Sequence, residues 1–181
     1  IKSSAASDVY KRQDPEYMDR DILYSILDKG PKRASAYWFI HIQVTDEPFT
    51  SDYTVESYGT DYVFFVTIRL GFKVPQRVNV YLRQIISDLV ATGALPQQVR
   101  KYSIYKNATT GSFRFYHIRK TLAPESDISH LQKLAVRLKY KIRKMAGSPD
   151  KWYGLENSNL VIEYVPLFIR SKHFNPFVKT K

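Results

Sequence analysis

Asp46 and Glu47 are adjacent carboxylates and thus a candidate pair for acid–base chemistry. Two carboxyl groups can act as general acid and general base when both face the same substrate. Neighbouring residues of a strand point to opposite faces, so these two would not converge on one molecule. Pro48 follows directly, and acids are common where a strand ends in a turn. We therefore interpret the pair as turn residues, predict no catalytic residue, and expect that the chain is not an enzyme.

Metal and cofactor binding find little support in the residue pattern. The chain contains no cysteine, and its four histidines lack the spacing of a metal site. Gly71 stands alone between a predicted strand and a predicted helix, without the further glycines of a phosphate-binding loop. It is better explained by a tight backbone bend. We predict no metal site and no cofactor. The histidines are His41, which we expect to be a core imidazole, His117, His130 and His173.

Positive charge is concentrated in two segments. Residues 131–151 carry seven Lys or Arg and one acid, and residues 170–181 carry four and none, so together they supply +10 of the formal net charge of +11. Such clustering favours an anionic partner, either nucleic acid or the anionic inner leaflet of a membrane. The alternative is a solvated helix face followed by a basic tail. The stripe that we expect to face a membrane consists of Lys133, Arg137, Lys141 and Lys144.

Apolar periodicity predicts the elements that position these residues. A turn at residues 58–61 predicts an antiparallel hairpin, and residues 107–111 predict a second. The sequence thus favours an α+β fold, with a mixed, mostly antiparallel sheet of about five to six strands packed with about three helices. No apolar run approaches the roughly 20 residues of a transmembrane helix, so we expect none in this fragment. The predicted helices are 19–27, 75–91 and 127–146, the last with an apolar stripe in the core. The predicted strands are 36–44, 53–57, 62–70, 102–105, 112–119 and 160–165.

The two ends of the chain differ from its middle. Residues 3–13 read SSAASDVYKRQ, which resembles a translated sequencing adapter, so we expect residues 1–13 to be non-native and exclude them from the fold. Residues 14–169 form one predicted domain, and residues 170–181 a basic tail. We expect the natural protein to continue upstream of this fragment.

Four sequence blocks, in family order over about residues 14–169, resemble the C-terminal cytoplasmic domain of the Kup/HAK/KT potassium uptake permeases. The blocks are KRASAYWFIHIQVTDEPFT at 32–50, LGFK at 70–73, RVNVYLR at 77–83 and WYGLE at 152–156. The resemblance implies that these residues are mainly structural. It places Trp38, Phe39 and Phe72 in the core, with Trp152 packing the last helix against the sheet. It also implies that sequence upstream of this fragment contributes at least one further strand, without which one sheet edge would be exposed.

The resemblance also implies a function. Family members import K⁺, generally by K⁺:H⁺ symport, through a transmembrane part that holds the K⁺ site and is absent here. This domain would lie on the cytoplasmic side of the cell (inner) membrane, where it would regulate its own transmembrane domain or assemble with it, and a homodimer is one possible assembly. By analogy with relatives that respond to cyclic dinucleotides, Arg69, Lys73 and Arg77 could contact a phosphate. The alternative is a free-standing basic module that binds nucleic acid or an anionic membrane; on the family reading, no specific nucleic acid is expected.

Overall fold

The computed structural model describes residues 6–12, 18–30, 32–97, 110–122, 129–145 and 148–167, which are built around a single mixed sheet. The strands are β1 (Ala6–Arg12), β2 (Ala36–Thr45), β3 (Ser51–Glu56), β4 (Val63–Gly71), β5 (Ser112–Leu122) and β6 (Asn159–Leu167). The helices are α1 (Arg20–Leu27), α2 (Val78–Ala91), α3 (His130–Met145) and the short α4 (Pro149–Trp152). Across the sheet the order is β3-β4-β2-β1-β5-β6. The mixed six-stranded sheet and its helices confirm the predicted class.

The prediction that pairing is mostly antiparallel was wrong. Among the strands of the described residues, β3 and β4 alone pair in an antiparallel manner, through the predicted hairpin, and the other four pairings are parallel. The physical reason is the connections, because a helix between two strands returns the chain in a crossover that makes neighbours parallel. α1 joins β1 to β2, and α3 lies between β5 and β6. The predicted strand 102–105 and its hairpin turn fall largely outside the described residues.

Each face of the sheet carries its own apolar cluster. On one face, α2 buries Leu82, Ile85 and Ile86 against side chains of β2 and β4, including Trp38 and Val66. On the other face, α1 buries Ile22. Because both faces are covered, β2 has buried residues at consecutive positions instead of the strict alternation of a half-exposed strand. α2 begins three residues later than predicted, after a turn in which the Arg77 amide bonds to the Pro75 carbonyl at 3.0 Å.

The exclusion of residues 1–13 from the fold was wrong for the part that forms β1. This strand lies in the centre of the sheet, in parallel register with β2 and β5. Tyr10 is fully buried and stacks on Phe39 and on Tyr116, with ring centroids 5.7 and 4.9 Å apart. Phe39 in turn stacks on Phe65 at 5.0 Å, which completes an aromatic row across four strands. Whether the genome encodes these residues stays a prediction.

The apolar stripe of α3 is not part of the core, contrary to the prediction. Leu131, Leu134, Leu138 and Ile142 are 56–79% exposed, whereas Val136 on the opposite side of the helix is partly buried. Helical periodicity identifies an amphipathic helix correctly, but it cannot say which surface the apolar side meets. Among the described helices, none is long and apolar enough to cross a membrane.

Candidate functional site

The predicted turn acids lie at a backbone corner between β2 and β3. Asp46 and Glu47 are both exposed, and the Thr50 hydroxyl donates a hydrogen bond to Glu47 Oε2 at 3.2 Å. The Gly71 amide bonds to the Thr50 carbonyl at 2.8 Å, and the Lys73 amide bonds to the Pro48 carbonyl at 3.1 Å. The first two sequence blocks therefore meet here, and these acids mark a structural corner.

Gly71 is required at this corner because two backbone segments approach closely. A Cβ atom built on Gly71 would lie 2.4 Å from the Glu47 carbonyl oxygen and 2.5 Å from that of Pro48. Neither atom belongs to a flexible side chain, so no rotamer change could relieve the overlap. The glycine thus allows β4 to pass under the β2–β3 turn.

The last sequence block forms a second corner, against the start of α2. The Val78 amide donates to the Tyr153 carbonyl at 3.0 Å, and Asn79 Nδ2 donates to Ser158 Oγ at 2.9 Å. Gly154 has a φ of +61°, and a Cβ there would lie 3.3 Å from the Arg77 Cα. Leu155 is buried in the α2-side cluster together with Val78. The third and fourth sequence blocks are therefore joined as well.

The aromatic residues of the blocks divide into two groups. Trp38 and Phe39 are buried as predicted, and Trp38 stacks on Phe64 with centroids 4.2 Å apart. The predictions for Phe72 and Trp152 were wrong, since these side chains are 60% and 53% exposed. Phe72 follows Gly71 where the chain leaves the sheet, and Leu155 takes the buried position expected for Trp152.

The three predicted anion contacts occupy β4, the turn that follows it and the residue directly before α2. Arg69 alternates with the buried Ile68 and Leu70, so it lies on the α1 face of the sheet, and its Nε contacts Asp52 Oδ1 at 2.5 Å. Arg77 precedes α2, which covers the opposite face. Lys73 places its Nζ 5.6 Å from the centroid of the Phe49 ring. Phosphate binding by these residues stays a prediction, with Arg69 already paired to a carboxylate.

Two clefts open on the α2 face. The first, with about 390 Å³ of empty space, is mainly apolar and is lined by residues that include Ile42, Phe115, His117 and Leu160. The second, with about 670 Å³, lies between α2 and the β3–β4 edge. Beside it the Tyr53 hydroxyl donates to Asp88 Oδ2 at 2.9 Å. This hydrogen bond, with smaller effects of burial and of the Asp88 charge, raises the pKa of Tyr53 above 10.0.

The histidines are dispersed. His41 lies half-buried in β2, and His117 lines the first cleft. Within the described ranges, no group of three or more His, Cys, Asp or Glu side chains could hold a metal ion. His130 begins α3, and His173 is outside the described residues.

A largely buried polar cluster that the sequence analysis missed joins α1 to β6, with Ser25 fully buried. Lys32 Nζ lies 3.1 Å from Glu163 Oε1, and the two side chains are only 7% and 14% exposed. The Ser25 hydroxyl donates to Glu163 Oε2, and Lys32 Nζ donates to the Ser25 carbonyl. Lys32 also lies 5.2 Å from the centroid of the Tyr116 ring. Glu163 stands alone among the apolar and aromatic residues at 160–165, a signal that could have suggested a buried partner.

The predicted membrane-facing stripe lies on α3. Arg137 and Lys141 are exposed, as is Lys139 between them, and Lys133 and Lys144 occupy positions on the same helix. Its 16 residues contain six Lys or Arg and no Asp or Glu. The exposed apolar side chains described above share this helix with the charges. The arrangement is that of a basic amphipathic helix whose apolar side faces outward.

Comparison with known proteins finds relatives that are all named as potassium transport system proteins. The chain is 47% identical over 154 residues to the "Probable potassium transport system protein Kup" of Clostridium perfringens, covering 85% of this chain and 23% of that protein. It is 44% identical to the protein of the same name from Enterococcus faecalis over 91% of this chain and 25% of that protein. A Bifidobacterium longum protein, "Probable potassium transport system protein Kup 1", is 47% identical over 91% of this chain and 28% of its own length.

The chain thus spans about a quarter of the length of the curated relatives it matches. No solved structure gives a significant match. The family model described as "K+ potassium transporter C-terminal domain" matches residues 7–165, from the central strand β1 to the edge strand β6. This chain therefore belongs to the K⁺ potassium transporter C-terminal domain family.

Proposed function

We propose that this chain is the cytoplasmic C-terminal domain of a membrane permease that imports K⁺, coupled to H⁺ symport, and that it regulates or assembles the permease. The observation that carries the proposal is the family match over residues 7–165, which includes every strand of the sheet. The relatives that share this sequence are named as potassium transport proteins. Their remaining three quarters would supply the K⁺ path and the membrane anchor.

A binding or assembly role is supported by what the family blocks do in this fold. Gly71 and Gly154 allow two close backbone approaches, and Tyr153 and Pro48 accept backbone hydrogen bonds across them. These positions shape the domain, and we propose that its own function is contact with other parts of the permease and not a reaction. Dimerisation, and regulation by a cyclic dinucleotide at Arg69, Lys73 or Arg77, remain predictions.

A domain exchange tests the proposal. Residues 7–165 would replace the matching C-terminal segment of the Clostridium perfringens relative, and Rb⁺ uptake would be measured in cells that lack other potassium uptake. We expect the chimera to transport Rb⁺ at a rate or with a regulation that differs from the relative truncated before this segment. A chimera that reaches the membrane and yet behaves in every respect like the truncated protein would contradict a regulatory or assembly role.

The competing function, a basic module that binds nucleic acid, makes a different prediction. Binding through phosphate contacts releases counterions, so the affinity for DNA or RNA would fall steeply as salt is raised. For a transporter domain we expect only weak binding to nucleic acid, without sequence preference. Titration of the chain with duplex DNA and with single-stranded RNA at two salt concentrations separates the two functions.

A further inference from the structure

The exposed apolar side of α3 is a feature of the described residues that the proposed function leaves unexplained. Four large apolar side chains, Leu131, Leu134, Leu138 and Ile142, are each more than half exposed on one helix. A helix that only bridges elements in water would expose polar residues there, because each exposed leucine forgoes burial worth about 1.5–3 kcal/mol. An aligned set of this kind marks a surface that meets a partner.

The angular positions on α3 define the shape of this surface. With 3.6 residues per turn, the four side chains and Ala135 fall within a sector of about 100°. Lys139 borders the sector on one side and Lys141 on the other, while Arg137 follows further round. Val136 lies on the far side of the helix and is partly buried, whereas the three leucines and Ile142 are exposed.

The charge of α3 indicates the chemistry of the partner. The helix has six Lys or Arg and no acid, whereas an apolar protein surface would not require such an imbalance. An anionic lipid surface accounts for both the apolar and the basic side of the helix. The leucines can enter the acyl boundary, and the flanking lysines can reach the phosphate groups. The 16 residues are about 24 Å long, too short to cross a bilayer and sufficient to lie in its interface.

We infer that α3 is an interfacial helix that docks this domain on an anionic membrane, with Leu131, Leu134, Leu138 and Ile142 inserted and Arg137, Lys139 and Lys141 at the lipid phosphates. This deepens the proposed function and rests on its membrane location. The predicted basic stripe described only an electrostatic attraction. Insertion of the apolar sector is the new element, and it fixes which side of α3 faces the bilayer.

The absence of cysteine from the chain makes a direct test possible. A single Leu138→Cys variant of the full 181-residue chain would carry a polarity-sensitive fluorophore. Vesicles would contain phosphatidylcholine alone or with roughly 30% phosphatidylglycerol, an anionic lipid. We expect the emission to shift to the blue only with the anionic vesicles. The same fluorophore at Val136→Cys, on the back of α3, or at Leu27→Cys, an exposed leucine of α1, should shift much less.

Two sets of substitutions separate insertion from adsorption. Leu134→Gln with Leu138→Gln keeps the charge and should lower the affinity for anionic vesicles, measured by co-sedimentation, at least tenfold. Lys139→Gln with Lys141→Gln should lower the affinity for these vesicles roughly 30-fold, because each cation near the surface contributes on the order of 1 kcal/mol. All four side chains are exposed, so far-ultraviolet circular dichroism should not change.

Three results would overturn the inference. Failure to bind anionic vesicles would exclude the lipid partner. Blue-shifted emission from Leu138→Cys without lipid would show that the chain itself covers the stripe, or a second copy does if the shift grows with protein concentration. If removal of the lysines abolished binding but removal of the leucines did not change it, the helix would bind by electrostatic adsorption without insertion. None of these results depends on Rb⁺ uptake, so failure here is distinguishable from failure of the proposed function.

Discussion

Gly71 shows at the scale of one residue how a family motif can be structural. A glycine before a helix suggests a bend, and the structure shows that the reason is contact: the Glu47 and Pro48 carbonyls occupy the space of a side chain. We predict that Gly71→Ala lowers the free energy of unfolding by about 1–3 kcal/mol, because the backbone must shift. The denaturant midpoint of the chain measures this loss.

Gly93 provides the matched control for Gly71. It ends α2 with a φ of +75°, and nothing lies within 4 Å of a Cβ built there. Asparagine tolerates the left-handed conformation, so Gly93→Asn should cost well below 1 kcal/mol, whereas Gly71→Asn should cost at least as much as Gly71→Ala. Equal costs at the two glycines would show that close approach is not the cause at Gly71.

Tyr53 supplies a second prediction at the residue scale, on alkaline stability. Its pKa is raised in the folded chain, so the neutral hydroxyl stabilises the fold fully below the unfolded value of 10.0 and less as the pH rises through the folded value. Tyr53→Phe should lose about 1 kcal/mol near neutral pH and then show a shallower decline above about pH 10. Urea unfolding between about pH 8 and about pH 11.5 tests this. Tyr62→Phe, an exposed tyrosine, is the control, and a parallel decline for parent and Tyr53→Phe would disprove the linkage.

At the scale of elements, the Lys32–Glu163 pair fastens two parts of the chain that are far apart in sequence. Glu163 belongs to the edge strand β6, and Ser25, which donates to it, belongs to α1. Breaking a buried pair leaves a charge without a partner, which is more destabilising than replacing both members. Glu163→Gln should therefore cost about 2 kcal/mol in unfolding free energy, somewhat less than for a fully buried pair because Glu163 keeps some access to water.

The double substitution Lys32→Met with Glu163→Leu is the informative comparison for this pair. It removes both charges and fills the space with apolar side chains, so it should recover most of the stability lost in Glu163→Gln. The half-exposed Arg69–Asp52 pair offers the contrast, and Asp52→Asn should cost less than about 1 kcal/mol. If the double variant were less stable than Glu163→Gln, the attraction between Lys32 and Glu163 would itself stabilise the fold, beyond sparing each charge from being left without a partner.

The elements themselves were largely predictable. The helix that became α3 and the strands that became β2 and β4 show clear periodicity over long segments, and their boundaries fall within a few residues of those observed. Whether neighbouring strands pair parallel or antiparallel was harder to predict, because strand direction depends on how the connections cross the sheet. The outward side of α3 was also inaccessible, because a helical pattern reports that one side is apolar without naming its neighbour.

On the scale of the whole molecule, β1 decides whether the sheet is continuous. It separates β2 from β5, and Tyr10 links the aromatic row across them. We predict that a chain lacking residues 1–13 loses cooperative thermal unfolding, because two half-sheets would each expose a long edge. Calorimetry of this chain, beside one lacking only residues 1–5, makes the test. A cooperative transition in both would show that β1 is dispensable.

The sequence by itself determined the family, the class of fold and the uneven charge, because these depend on local composition, periodicity and blocks of residues in a recognisable order. Tertiary structure alone decided that Glu47, Pro48 and Gly71 meet and that Lys32 and Glu163 pair. The reason is that such contacts join residues distant along the chain. Their proximity follows from strand order and connection geometry, which residue patterns along the chain do not encode locally.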